Sequence, residues 1–168
     1  SLKKLIKIDL KKIRSKKKNF SNLNFLQIPN IMGVLNLTPD SFSDGGKFNS
    51  ISKGINQAFK MYKSGANIID VGGESTRPGS REINTKLEWN RVNKVLKSIC
   101  KKIPVSLDTR KSEIMEKGIK NGIKIINDVS GLNYDHKTKN ILKKYKIPFV
   151  IHHSQGTPQN MQNNPSYK

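Results

Sequence analysis

Strand-like and helix-like segments alternate along most of this chain, and that alternation restricts the fold more than any other feature. The strand-like segments are IMGVLN (31–36), NIIDVGG (67–73), IPVSLD (103–108), IKIIND (123–128) and IPFVIHH (147–153). Apolar residues at helical spacing predict helices between them, over residues 51–65, 85–102, 111–120 and about 135–145. Continuous apolar strands alternating with amphipathic helices predict a parallel sheet with both faces covered.

Local signals predict where two of these helices begin and end. Ser50 is the predicted N-cap of the first helix, and Gly65 is its predicted stop. The next helix begins with the segment Thr85-Lys86-Leu87-Glu88, which has the pattern of a capping box.

The first 24 residues differ in character from the rest of the chain. They contain basic runs such as KKIRSKKKN, which predict a weakly ordered arm with a strand around Leu5 to Leu10. A length of 168 residues is typical of one domain. We therefore expect a basic arm over residues 1–24 and one domain over residues 25–168.

Each of the five strand-like segments ends in polar residues. These ends are Asn36, Asp70 with GGESTRPG, Asp108, Asn127-Asp128 and His152-His153-Ser154-Gln155. One such end would carry little information, because Asp and Asn commonly begin turns. Function in parallel sheets lies at the carboxyl ends of the strands, so five polar ends on one rim predict a site there.

Charge and composition restrict the class of partner. The formal net charge is +20, which would suit a nucleic-acid ligand, but Lys is spread along the whole chain and Arg is scarce. We therefore expect no nucleic-acid partner. No apolar run approaches the roughly 20 residues that cross a bilayer, so no membrane partner is expected. The single Cys100 excludes an intramolecular disulfide and favours a cytoplasmic location.

Several motifs together resemble one known family. NLTPDSFSDGG (36–46) and GANIIDVGGESTRPGS (65–80) resemble the two signature segments of the dihydropteroate synthases. SLDTRK (106–111), INDVSG (126–131) and HSQGTPQNMQ (153–162) are similar to later segments of that family, in the same order. The resemblance implies a (β/α)8 TIM barrel, of which about the first five β/α units lie in this chain.

The resemblance also implies an activity and a cofactor. The family condenses para-aminobenzoate with a dihydropterin methyl diphosphate, releasing diphosphate, and uses Mg²⁺. Negative charge grows on the leaving diphosphate, so the reaction needs a cation there and a firm grip on the pterin. The resemblance makes Asn36 the oxygen ligand at the metal–diphosphate and a catalytic residue. A homodimer, as in the family, is among the assemblies it implies.

Two loops carry the residues implied for aminobenzoate. By resemblance, Phe42 and Pro78 pack on its ring, Thr76 touches the substrates, and Asp44 and Arg77 organise the loops, with Arg77 counted as catalytic. The alternatives are solvated loop charges for Asp44 and Arg77, and a core anchor for Phe42.

Strand ends carry the residues implied for the pterin. By resemblance, Asp108 and Asn127 match its edge of alternating donors and acceptors, with turn capping as the alternative. Two roles stay open for Asp70 and Glu74, which are support of the loop backbone and direct contact with a ligand. His153 matches a histidine of the family, whereas His152 replaces an apolar residue expected near the pterin.

Other interpretations remain open at this stage. The family's last three strands, with their second pterin carboxylate, pterin-contacting Lys and much of the anion site, do not occur in these 168 residues. One alternative is therefore an inactive truncated remnant or fragment of that enzyme. Residues 1–168 alone are expected to aggregate or stay loosely packed and to show no turnover. Another is a methyltetrahydrofolate-binding methyltransferase domain, which would not need the TPDSFSDGG and STRPG loops.

Overall fold

Five parallel strands in sequential order form the central sheet of the protein. The structure, a computed structural model, describes residues 4, 6–8, 10, 19–20, 23–24, 29–38, 47–77 and 80–152. The strands are β1 (Met32–Asn36), β2 (Ile68–Gly72), β3 (Val105–Asp108), β4 (Ile125–Asp128) and β5 (Phe149–Ile151). Each strand pairs in parallel with the next one along the chain. All five lie within the segments that the sequence predicts as strands.

A helix connects each strand to the next. These helices are α1 (Lys47–Lys63), α2 (Thr85–Ile99), α3 (Ser112–Lys120) and α4 (Thr138–Tyr145). Parallel crossovers have a strong right-handed preference, so sequential strand order places successive helices on the same side of the sheet. The main core lies between this layer and the sheet.

Alternating strand residues form that core. Leu35, Ile69, Val71, Leu107 and Ile126 are buried in one apolar cluster. The helices add further buried residues to the same cluster, among them Ala58, Val92, Val95, Leu96, Ile99, Ile114, Met115 and Leu142. Successive strand residues point to opposite faces, so these residues define the helix-covered face and their sequence neighbours define the other.

The opposite face differs from the expectation that both faces are covered. Ile68 and Ile125 are buried there, but the side chains of Met32, Val34 and Val150 are exposed. The prediction of two covered faces is therefore wrong for the described residues. The reason is topological: sequential strands with crossovers of one hand place their helices on a single side. This uncovered face is called the inner face below.

Two predicted N-caps are wrong, and one predicted stop is confirmed. Helix α1 begins at Lys47, so Ser50 lies inside it and is not its N-cap. The helix can extend to Lys47 because residues 47–49 include neither Gly nor Pro. In α2 the cap is Asn84, whose Oδ1 accepts a hydrogen bond from the backbone N–H of Leu87 at 2.8 Å. Asn caps as well as Thr and comes one residue earlier. Gly65 has a φ of +109° just after α1 ends.

The basic arm contains short elements among its described residues. Residues 6–8 are helical, so the strand predicted around residues 5 to 10 is wrong there. Asn19–Phe20 and Leu23–Asn24 pair as a small antiparallel ladder. The division into an arm and one domain stays a prediction. Among the described residues, none of the helices has the length and apolar character needed to span a bilayer.

The core analysis predicts which side chains carry stability. Leu107 is fully buried between β3 and the helices, so Leu107→Ala is expected to lower the free energy of unfolding by about 2–5 kcal/mol. Val34→Ala is the control, because Val34 is 61% exposed and its loss should cost less than about 0.5 kcal/mol. Denaturant unfolding measures both. Equal losses would contradict the assignment of the core to the helix-covered face.

Candidate functional site

Strand pairing places three of the predicted site residues in one row across the inner face. Asn36 pairs with Gly72, Gly72 with Asp108, and Asp108 with Asn127. Paired residues of parallel strands point to the same face, so the side chains of Asn36, Asp108 and Asn127 share it. All three lie at the carboxyl ends of their strands, as the sequence predicts. This set is called the polar row.

Gly72 leaves a gap in the middle of the polar row. A Cβ built on Gly72 would lie 3.4 Å from Oδ2 of Asp108 and 3.5 Å from Oδ1 of Asn36. The two oxygen-bearing side chains therefore flank the same space from either side. Glycine keeps that space free for a ligand or for the close approach of polar groups.

A hydrogen-bonded chain extends from β2 to the residue after β5. The Nδ2 of Asn127 donates to Oδ2 of Asp70 at 2.9 Å, and Oδ1 of Asn127 lies 2.8 Å from Nε2 of His152. Asp70 is buried, and its Oδ1 has no hydrogen-bond partner in the described protein. Asp70 therefore supports Asn127 directly. His152 likewise contacts a residue of the polar row.

The surroundings of Asp108 favour its protonated form. Burial, together with the negative charges of Asp70, Glu88, Asp128 and Glu74, raises the pKa of this carboxyl from 3.8 to about 7. Burial and like charges both disfavour a carboxylate. Asp108 consequently changes charge near neutral pH, which is where a perturbed carboxyl is useful in a binding site.

Thr76 and Arg77 lie in the segment that follows β2 and are not in the polar row. Arg77 is exposed, and its backbone N–H donates to Oγ of Ser75 at 3.4 Å. Glu74 precedes them and is buried, with Oε1 accepting from the backbone N–H of Ile83 at 2.9 Å. Glu74 is thus a support of the loop backbone, which is one of the two roles left open for it.

Sequence reasoning missed a group of buried charges beside this segment. Arg110 and Lys111 follow Asp108 in the chain and are buried, and Glu88 of α2 is buried too. Oε2 of Glu88 lies 2.6 Å from Nζ of Lys111, so Glu88 is turned inward and does not act in a capping box. A Glu three residues after Thr85 is the pattern of a cap, and nothing local in the sequence signals its distant cation.

Asp128 belongs to the turn after β4 and not to the polar row. Its Oδ1 accepts from the backbone N–H of Ser130 at 2.8 Å, and its Oδ2 accepts from the backbone N–H of Leu132 at 3.2 Å. Asp128 is fully buried on the helix-covered face. It therefore supports the loop, as Asp commonly does at strand ends.

An open cavity lies beside Asn36 at the edge of β1. Its volume is about 620 Å³, and Lys53 and Lys60 of α1 line it together with Val34, Leu35, Asn56 and Gln57. Two lysines beside a neutral carboxamide make this end of the polar row electropositive. In the part of the chain that the structure describes, no group of three His, Cys, Asp or Glu residues could hold a metal ion.

Some predicted site residues lie outside the described residues. These are Phe42, Asp44, Pro78 and His153. Their roles stay predictions.

Comparisons with known proteins agree with this fold. The sequence model described as "Pterin binding enzyme" matches residues 32–168. A dihydropteroate synthase of Neisseria meningitidis is 44% identical over 146 residues, which are 85% of this chain and 52% of the relative. The chain therefore spans about half the length of the relatives that it matches.

Solved structures give the same result. A dihydropteroate synthase from Clostridium difficile, crystallised in the presence of pteroic acid, matches with a TM-score of 0.72 and 44% identity. The match covers 75% of this chain and 49% of that one. The Xanthomonas albilineans enzyme with 4-aminobenzoic acid matches with a TM-score of 0.76 and 33% identity, covering 86% of this chain and 51% of that one.

The sequential parallel sheet with a polar row at its carboxyl edge is a part of a (β/α)8 barrel, as the sequence predicts, with five strands in the described residues. Given the match over residues 32–168, the chain belongs to the pterin-binding enzyme family.

The charge state of Asp108 provides a direct test of the site's electrostatics. Its carboxyl ¹³C resonance should titrate near pH 7, and Asp70→Asn should lower that pKa because a neighbouring negative charge is removed. Glu113→Gln is the control, since Glu113 lies on the exposed side of α3. Titration of Asp108 near pH 4 in the wild type would contradict the described surroundings.

The same shift has a consequence for stability. Because the folded-state pKa of Asp108 is raised, its contribution to stability is fully present below about pH 4 and is lost as the pH rises through about 7. Asp108→Asn should remove that part of the pH dependence, as measured by thermal unfolding between pH 4 and pH 8.

Proposed function

We propose that this chain has the function of a dihydropteroate synthase, which condenses para-aminobenzoate with (7,8-dihydropterin-6-yl)methyl diphosphate. The polar row is the observation that carries this proposal. It presents a carboxamide, a carboxyl and a second carboxamide on one uncovered face, at the end of the sheet where such barrels bind their ligands.

The pterin side of the proposed site is Asp108 with Asn127. A carboxylate accepts two hydrogen bonds from a ring N–H and an exocyclic amine, while a carboxamide supplies one donor and one acceptor. Asp70 and His152 hold the carboxamide of Asn127 in place, so its donor and acceptor meet the ligand at fixed positions. Mismatched ligands would leave buried polar groups unpaired, which is a strong source of specificity.

The diphosphate side of the proposed site is Asn36 with its electropositive surroundings. The carboxamide oxygen of Asn36 faces the space left by Gly72, which suits an oxygen ligand of Mg²⁺ shared with diphosphate oxygens. Bound Mg²⁺ would neutralise charge that develops on the leaving diphosphate. Lys53 and Lys60 would add to the positive potential around the same anion.

The aminobenzoate side of the proposed site is the segment with Thr76 and Arg77. Thr76 would contact the substrates, and Arg77, together with Asp44, would organise the loops around them. Phe42 and Pro78 would pack on the aminobenzoate ring and keep water away from the pterin methylene, where water competes with the amine. We further propose a cytoplasmic location and a homodimeric assembly. The buried, unpaired Cys100 supports the location.

Activity provides the test of the proposed function. Full-length protein, incubated with both substrates and Mg²⁺, is expected to form 7,8-dihydropteroate, with turnover lost when EDTA removes the metal. Chromatography of the product measures the rate. Absence of product from folded, metal-replete protein would overturn the proposal, and binding of methyltetrahydrofolate instead would favour the methyltransferase alternative.

Asp108 should contribute to affinity more than to stability. Asp108→Asn is expected to weaken binding of the pterin diphosphate by about 1–3 kcal/mol, because the amide nitrogen that replaces a carboxyl oxygen cannot accept from a donor of the ligand. The melting temperature should change by only a few degrees. Isothermal titration calorimetry measures the first quantity, and a stability loss with unchanged affinity would make Asp108 a structural residue.

Arg77 should matter for aminobenzoate more than for the pterin. Arg77→Ala is expected to raise the KM for aminobenzoate or lower kcat. The affinity for the pterin diphosphate alone should stay within about twofold of the wild type, which is well below the tenfold change that 1.4 kcal/mol represents. The neighbouring exposed Arg81→Ala is the matched control. Equal loss of both ligands would contradict the division of the site.

A further inference from the structure

Arg110 and Lys111 connect the end of β3 to the segment after β2. They follow Asp108 and Thr109, and the backbone N–H of Thr109 donates to the carbonyl of Asn127 at 3.0 Å. Their backbone is therefore anchored beside the polar row. Their charged ends, however, lie among acids from other segments. This group, made of Glu74, Glu82, Glu88, Arg110 and Lys111, is called the ion network.

Lys111 bridges two acids in the buried part of the ion network. Its Nζ lies 3.1 Å from Oε1 of Glu74 and 2.6 Å from Oε2 of Glu88. The side chains of Lys111, Glu74 and Glu88 are 6%, 6% and 1% exposed. Thr109 donates from Oγ1 to the other oxygen of Glu88 at 2.6 Å. Such buried, fully paired charges have closely defined positions.

Arg110 bridges the buried and the exposed parts of the ion network. Its Nε lies 3.1 Å from Oε2 of Glu74, and its Nη2 lies 3.5 Å from Oε2 of Glu82. The guanidinium also packs over the ring of Tyr134, 4.1 Å from its centroid. Tyr134 in turn hydrogen-bonds Glu82. Arg110 thus holds one acid at the start of the segment and one near its end.

The ion network closes the segment 74–83 at both ends. Glu74, the first residue, accepts from the backbone N–H of Ile83, the last, while Arg91 donates from Nη1 to the carbonyl of Gly73 at 2.8 Å. Thr76 and Arg77 lie between these fixed ends. Their positions therefore depend on where Glu74 is held, and Glu74 is held by Arg110 and Lys111.

We propose that Arg110 and Lys111 are positioning residues, which fix Thr76 and Arg77 relative to Asp108 through Glu74. Their part in aminobenzoate binding rests on the proposed function. Their part in ordering the segment 74–83 does not. One ion network thus connects the residues proposed for aminobenzoate with the residue proposed for the pterin.

Burial of these charges explains why a positioning role is favoured over a role in stability alone. Removing charges from water is costly, and apolar residues of similar volume often stabilise a core equally well. Hydrogen bonds from Arg110, Ile83 and Lys111 outweigh the burial of Glu74 and lower the pKa of its carboxyl, so it stays ionised. The hydrogen bonds and ion pairs of an ionised Glu74 have defined geometry, so they fix the position of the segment more closely than apolar packing would.

Lys111→Met in the full-length protein tests the proposal. Hydrogen exchange of the Ile83 amide and its neighbours is expected to accelerate at least tenfold, while amides of β2 and β3 exchange as before. The aminobenzoate KM should rise at least fivefold, and the KM of the pterin diphosphate should stay within twofold. Lys111→Arg should recover both values in part, because it restores a cation between the two acids.

Lys117→Met is the matched control, because Lys117 pairs with Glu113 on the exposed face of α3 and should change neither readout. If Lys111→Met does not fold, Glu82→Ala serves as the test variant instead. The side chain of Glu82 is 48% exposed, so its loss affects only the exposed part of the ion network. Faster exchange confined to residues 74–83 supports the proposal, whereas unchanged exchange or a uniform increase overturns it. A wild type without turnover would refute the proposed function while leaving the exchange result decisive for the ion network.

Discussion

The register of the parallel strands is the constraint on which the site depends. A shift of one residue in any pairing would turn Asn36, Asp108 or Asn127 from the inner face into the helix-covered core. The buried alternation of Leu35, Ile69, Val71, Leu107 and Ile126 prevents that shift, because each would lose its apolar surroundings. The core is therefore what aligns the polar row, although no core residue takes part in it.

Acidic charge is concentrated at the same end of the sheet in a chain whose net charge is +20. Four carboxylates, those of Asp70, Glu74, Glu88 and Asp128, add to burial in disfavouring the ionised form of Asp108. Arg110 pairs with Glu74, and Lys111 pairs with Glu88. A carboxyl of raised pKa thus lies at the same end of the sheet as acids that are paired with cations.

Sequence patterns were informative where the physical cause is local and periodic. The five strands followed from apolar runs, and Asn36, Asp108 and Asn127 were predicted on one rim because parallel strands end together. Glu88 was misinterpreted, since a capping box is a pattern of four adjacent residues and its actual cation is 23 residues away. The partners of Glu74 could not be predicted either, because ion pairs between distant segments leave no periodic trace in a sequence.

The contacts of Asn127 determine the direction of its amide. Oδ2 of Asp70 accepts from the amide nitrogen of Asn127, so the amide oxygen faces His152. An amide oxygen only accepts, so Nε2 of His152 is the donor in that contact. A carboxylate on β2 thereby selects the tautomer of an imidazole beyond β5, two hydrogen bonds away. Replacing His152 with an apolar residue would leave Asn127 held from one side only, and the donor–acceptor order that a pterin meets would depend on a single acid.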